Sequence, residues 1–129
     1  MSNIKNNILQ NYINAFIPPV IWALVIFFLS DQEVLPGFSI NALDFISKKL
    51  AHMFVYAVLY LLIYRGVLIV REKTSGYKTW LFPLLICFIY AITDEIHQSI
   101  VPGRHATIRD ISYDMLGASI VILSKIGYI

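Results

Sequence analysis

Between Thr93 and Gly117 the chain reads T-D-E-I-H-Q-S-I-V-P-G-R-H-A-T-I-R-D-I-S-Y-D-M-L-G, which gathers four of its eight carboxylates, two of its three histidines and two arginines. Three chemistries fit these residue types. Glu95 or Asp94 as general base, His97 or His52 as its acid–base partner and Arg104 as the stabiliser of developing charge would hydrolyse or transfer a phosphoester, although no nucleophile motif selects one group. As a binding site, Lys49, His52 and Arg104 offer a phosphate or pyrophosphate one planar fork and one point charge. Gln98, Asp110 and Asp114 complete that polar set. As a metal site, Asp94, Glu95, His97 and Asp110 carry suitable atoms but lack an H-E-x-x-H or paired-histidine spacing, so neither a metal nor another cofactor is expected. The blandest alternative is a structural ion-pair network of Arg104 and Arg109 with the four acids, holding no ligand. Such a network does not need Lys49, His52 and His97 at the same level.

The elements that position these groups are set by the solvent. The 129 residues are 58% hydrophobic and 14% charged, with a mean hydropathy of +0.71, whereas soluble domains are about 25% charged. Lipid is therefore the medium, and the length allows one all-α domain, residues 1–129, of four spans at roughly 20 residues each. An up-and-down bundle with short connections follows, with no soluble domain beside it and no nucleic-acid partner. Cys87 lies alone in an apolar run and reads as a small packing residue.

The spans are expected at about 12–30, 49–70, 79–98 and 107–126. Residues 1–11 are polar, and the first run ends in Ser30-Asp31-Gln32-Glu33 without a cleavage-site pattern, which predicts an uncleaved anchor. Pro18-Pro19 falls near its start and marks a first turn or a kink. Residues 31–47 form a loop whose Phe38–Ile46 piece lies at the interface. Lys49, His52 and Tyr56 follow at i, i+3 and i+7 on one helical face, with the basic groups where the second span begins, and Arg65 snorkels from its far end. Residues 71–78 make a short basic loop. From Trp80, Asp94 and Glu95 lie about 21 Å along the third span, inside the hydrocarbon slab. Pro102-Gly103 turns the chain into a fourth span on which Asp110, Asp114, Gly117 and Ala118 share a stripe. A charge at such depth costs roughly 3 kcal/mol or more, so it must be paired, hydrated or used.

Lys5, Arg65, Arg71, Lys73, Lys78 and Lys125 fall on one side of this arrangement, and Lys48, Lys49, Arg104 and Arg109 on the other. The richer side is cytoplasmic by the positive-inside rule, which places both termini there and the polar residues in the outer leaflet.

F-F-L-S-D-Q at 27–32, K-x-x-H-x-x-x-Y at 49–56 and D-E-I-H-Q-x-x-V-P-G-R-x-x-x-x-x-D-x-x-x-D-x-x-G at 94–117 resemble the VanZ-like family of small bacterial membrane proteins. Glu95, Gln98, Pro102, Arg104, Asp110 and Gly117 match the family pattern, while Asp114 stands where the family often has Asn. The resemblance implies four spans in the bacterial cytoplasmic membrane, and its namesake is an accessory protein of teicoplanin resistance. Residues and resemblance together give a multi-pass protein whose outward-facing polar site binds an anionic lipid or lipid-linked envelope precursor. A membrane-embedded hydrolase or transferase of a lipid phosphate is the alternative.

Overall fold

The computed structural model describes residues 2–31, 41–71, 76–103 and 107–129. Four helices run through them in order: α1 Ser2–Ser30, α2 Asn41–Val70, α3 Lys78–Ile100 and α4 Ile108–Lys125. No strand occurs among the described residues. Asn7–Ser30, Ala42–Val70 and Lys78–Ile100 are long and apolar enough to cross a membrane. With 18 residues, α4 is about 27 Å long, close to the roughly 30 Å hydrocarbon core. The polarity is inverted relative to a soluble bundle. Ile13, Phe16, Val20, Leu24 and Phe28 of α1 are exposed, whereas Asp94, Glu95, Gln98, Asp110 and Asp114 are buried. That arrangement fits a membrane protein, in which lipid contacts the apolar surface and the polar groups face one another.

Two helix starts differ from the sequence expectation. α1 begins at Ser2, so most of the expected polar leader is helical, and α2 begins at Asn41, eight residues before the expected 49. For α2 the reason is local: Asp44 sits in the first turn, where the helix dipole favours an acid. Lys48 pairs with it one turn on, at 2.7 Å. Asn41–Ile46, read as interfacial loop, is thus the opening of the helix, and Lys49 stands in its third turn rather than at its start. The rest of that expected interfacial piece, 38–40, lies outside the described residues.

Pro18 and Pro19 sit well inside α1, not in its first turn. Lacking N–H groups, they leave the carbonyls of Asn14 and Ala15 without their helical donors. Both carbonyls turn to α2. Arg65 donates from Nη1 to Asn14 O at 3.3 Å, so this arginine serves the α1 backbone. Gly66 packs against Ala15, where an added Cβ would lie 2.6 Å from the carbonyl oxygen.

α2 is the element on which α1, α3 and α4 all pack. Its Tyr56, Leu59 and Tyr60 are buried in one core with Ile26, Cys87, Ala91, Ala118 and Ile122. The aromatic polar ends reach backbone carbonyls across the bundle: Trp22 Nε1 donates to Val55 O at 2.8 Å and Tyr60 Oη to Trp80 O at 3.1 Å. These are the interhelical polar contacts that a membrane bundle uses where lipid supplies no hydrophobic drive. On the far side of α2, Gly117 of α4 lies against the backbone carbonyl of Met53 so closely that any Cβ would overlap it.

Candidate functional site

The close contact at Gly117 brings two helical stripes face to face. On α2, Lys49, His52 and Met53 succeed one another over about one turn. On α4, Asp110, Asp114 and Gly117 do the same over two. The rungs pair in order. Lys49 Nζ is ion-paired and hydrogen-bonded with Asp110 Oδ1, the two side chains being 17% and 10% exposed. His52 Nδ1 lies 3.0 Å from Asp114 Oδ1, and Asp114 is fully buried. The Lys49 ammonium also sits 5.4 Å from the ring centroid of Phe45 and 5.6 Å from that of Tyr113, within cation–π range.

Thr107 ties this ladder to α3. It caps α4 in an extended conformation, accepting from the Asp110 N–H at its hydroxyl and donating that hydroxyl to Asp110 Oδ2 at 2.8 Å. In a capping box the acid three residues on would reach back to the cap N–H. Here Glu95 of α3 accepts that N–H at Oε2, 2.8 Å away. Lys49, Asp110, Thr107 and Glu95 therefore form one connected chain across three helices.

Asp94 and His97 belong to the side facing α1. Asp94 Oδ2 accepts from Gln98 Nε2 at 3.0 Å, and the same amide reaches Ser30 Oγ at 3.3 Å. His97 Nε2 lies 3.3 Å from Asp31 Oδ1, with its ring 4.5 Å from that of Phe27. Two residues along a helix are about 200° apart, so Glu95 and His97 point to different neighbours. The catalytic trio expected from sequence is divided between two clusters. Of the expected ligand-binding residues, Lys49, His52, Asp110 and Asp114 converge, and Gln98 belongs with Asp94 and Ser30 on the side facing α1. Arg104 lies outside the described residues, and Arg109 is exposed.

Five buried polar atoms of this region have no hydrogen-bond partner among the described residues: Asp94 Oδ1, Glu95 Oε1, His97 Nε2, Asp114 Oδ2 and the Tyr56 hydroxyl. An unmet buried acceptor costs about 1–3 kcal/mol, more if charged, so these atoms mark where a ligand group, a water or a further side chain is wanted. Lys49 has three N–H donors and uses one on Asp110. Glu95 has one oxygen fixed by Thr107, while the other is buried without a hydrogen-bond partner among the described residues. No three His, Cys, Asp or Glu side chains among the described residues stand together as metal ligands. Thr107 was not among the residues singled out from sequence. Its signal was the T-x-x-D spacing of 107–110 ahead of an apolar run, a helix-start pattern.

The VanZ/LLP1 family model matches residues 6–126, which includes all of α2, α3 and α4 and most of α1. No curated protein and no solved structure matches the chain.

Proposed function

The chain belongs to the VanZ/LLP1 family, and from that premise we propose that its polar site binds the anionic headgroup of an outer-leaflet lipid or lipid-linked envelope precursor in the bacterial cytoplasmic membrane. The observation that supports this reading is the state of Lys49: half-sheltered by two rings, oriented by Asp110 and, among the described residues, using one of its three donors. His52 adds a second donor one turn deeper, and Asp110 and Asp114 hold the two side chains in place. Arg104, which adjoins the turn at Gly103, is assigned the planar fork on the same headgroup. The family namesake's link to teicoplanin enters by the same route, since an envelope precursor is the kind of ligand through which such a protein would affect a glycopeptide.

An outward-facing site requires both termini to be cytoplasmic. In a Cys87→Ala background, an impermeant thiol reagent applied outside should label cysteine introduced at Gly103 and spare one at Gly76. Labelling at Gly76 with none at Gly103 would invert the topology.

A second reading, hydrolysis or transfer at a lipid phosphate, draws on the open oxygen of Glu95. Purified protein mixed with a polyprenyl phosphate separates the two. Binding without turnover should give saturable association that added salt weakens and that Glu95→Gln retains. Release of inorganic phosphate that Glu95→Gln abolishes would establish the enzyme instead, and no association at all would remove the binding reading.

A further inference from the structure

At the other end of the bundle α1 and α3 diverge over α2 and leave a crevice of about 410 Å³. Leu59, Ile63 and Gly66 of α2 line it together with Val67, while Val20 of α1 and Ile86 of α3 face it from either side. Three features give it a defined shape. Gly66 adds no side chain, and none would fit there because of Ala15. Tyr90 bridges from α3 to α1, donating its hydroxyl to Ala23 O at 2.6 Å, and closes the crevice towards the middle of the bundle. Arg71, exposed just past the end of α2, lines the opposite mouth.

From Leu59 to Arg71 the crevice follows about 18 Å of helix. Apart from Arg71 and the Tyr90 hydroxyl its lining is hydrocarbon, and in a membrane it opens to acyl chains rather than to water. The charge at its mouth is positive: Lys78 is exposed in the first turn of α3 at the same end, and the connecting sequence 71–78 holds three basic residues against the single acid Glu72. An arginine beside an alkyl-lined crevice matches a lipid that carries a phosphate and a net negative headgroup. We propose that this crevice holds one acyl chain of an anionic phospholipid whose headgroup pairs with Arg71. The site is separate from the Lys49 cluster: none of that cluster's residues lines the crevice.

Native mass spectrometry of the detergent-purified Lys49→Gln/Asp110→Asn variant, whose Lys49 site no longer holds a cation for a headgroup, offered dioleoyl phosphatidylglycerol or dioleoyl phosphatidylcholine, tests this. The expected result is a single retained lipid, with phosphatidylglycerol held about fivefold more tightly, the effect of one interfacial cation. Arg71→Gln should abolish the headgroup preference while a lipid is still retained. Val67→Trp and Ile86→Trp, which fill the crevice from different helices, should each remove the retained lipid; should one of them fail to fold, the other decides. Equal retention of the two lipids, a preference that survives Arg71→Gln, or retention that survives the tryptophan that folds would overturn the proposal.

Discussion

Replacing Lys49 by methionine is expected to lower the stability of the protein by about 3–5 kcal/mol, the cost of removing one partner from a buried ion pair. Asp110, only 7% exposed, would keep the Thr107 hydroxyl but lose its sole described cation within bonding distance. Methionine preserves most of the stem, so the loss reports the charge and not a cavity. Adding Asp110→Asn should recover most of the stability, because an amide can keep a bond to Thr107 and no longer strands a charge. Reversible denaturation in mixed micelles measures both. Equal stability of Lys49→Met and the parent would mean that the α2–α4 ladder is not formed.

Gly117→Val should be the more damaging substitution for the fold. A Cβ at this position overlaps the Met53 carbonyl, and because that atom is backbone the two helices must separate. The rungs His52–Asp114 and Lys49–Asp110, one and two turns away, then open together. Overpacking alone costs about 1–3 kcal/mol; with the ladder lost as well, folded protein should fall more than tenfold in yield by size-exclusion chromatography. Gly66→Val should be milder, since its 2.6 Å contact is with a carbonyl beside the Pro18-Pro19 interruption, where α1 has fewer hydrogen bonds to lose. Normal yield of Gly117→Val would contradict the close α2–α4 packing.

The bundle and the two stripes were legible in the sequence because both rest on period and spacing. Apolar runs bounded by basic residues mark spans, and i, i+3, i+4 and i+7 place Lys49 and His52, or Asp110 and Asp114, on single faces. What paired with what was not legible. His97 lies only two residues from Glu95, yet helical rotation sends it to Asp31, just past the end of α1. The start of α2 was missed because Asn41–Ile46 follows a Pro-Gly pair and looks like loop, while Asp44 and Lys48 support a helix only once they are seen as an i, i+4 pair. Pro18-Pro19 looked like a first turn or a kink; the Asn14 carbonyl that Pro18 frees is met by Arg65 of another helix, a compensation that no local pattern encodes.

The central claim is that the Lys49 ammonium receives an anionic headgroup, and the variant Lys49→Gln/Asp110→Asn tests it most directly. It removes the cation and its counter-charge together, so the net charge is unchanged and no buried carboxylate is stranded. Parent and double variant, matched for melting temperature, are titrated with a polyprenyl phosphate by calorimetry. A charge-assisted hydrogen bond is worth about 1.5–3 kcal/mol, so the parent should bind and the double variant should bind at least about tenfold more weakly. Equal affinity in the two proteins would contradict the claim.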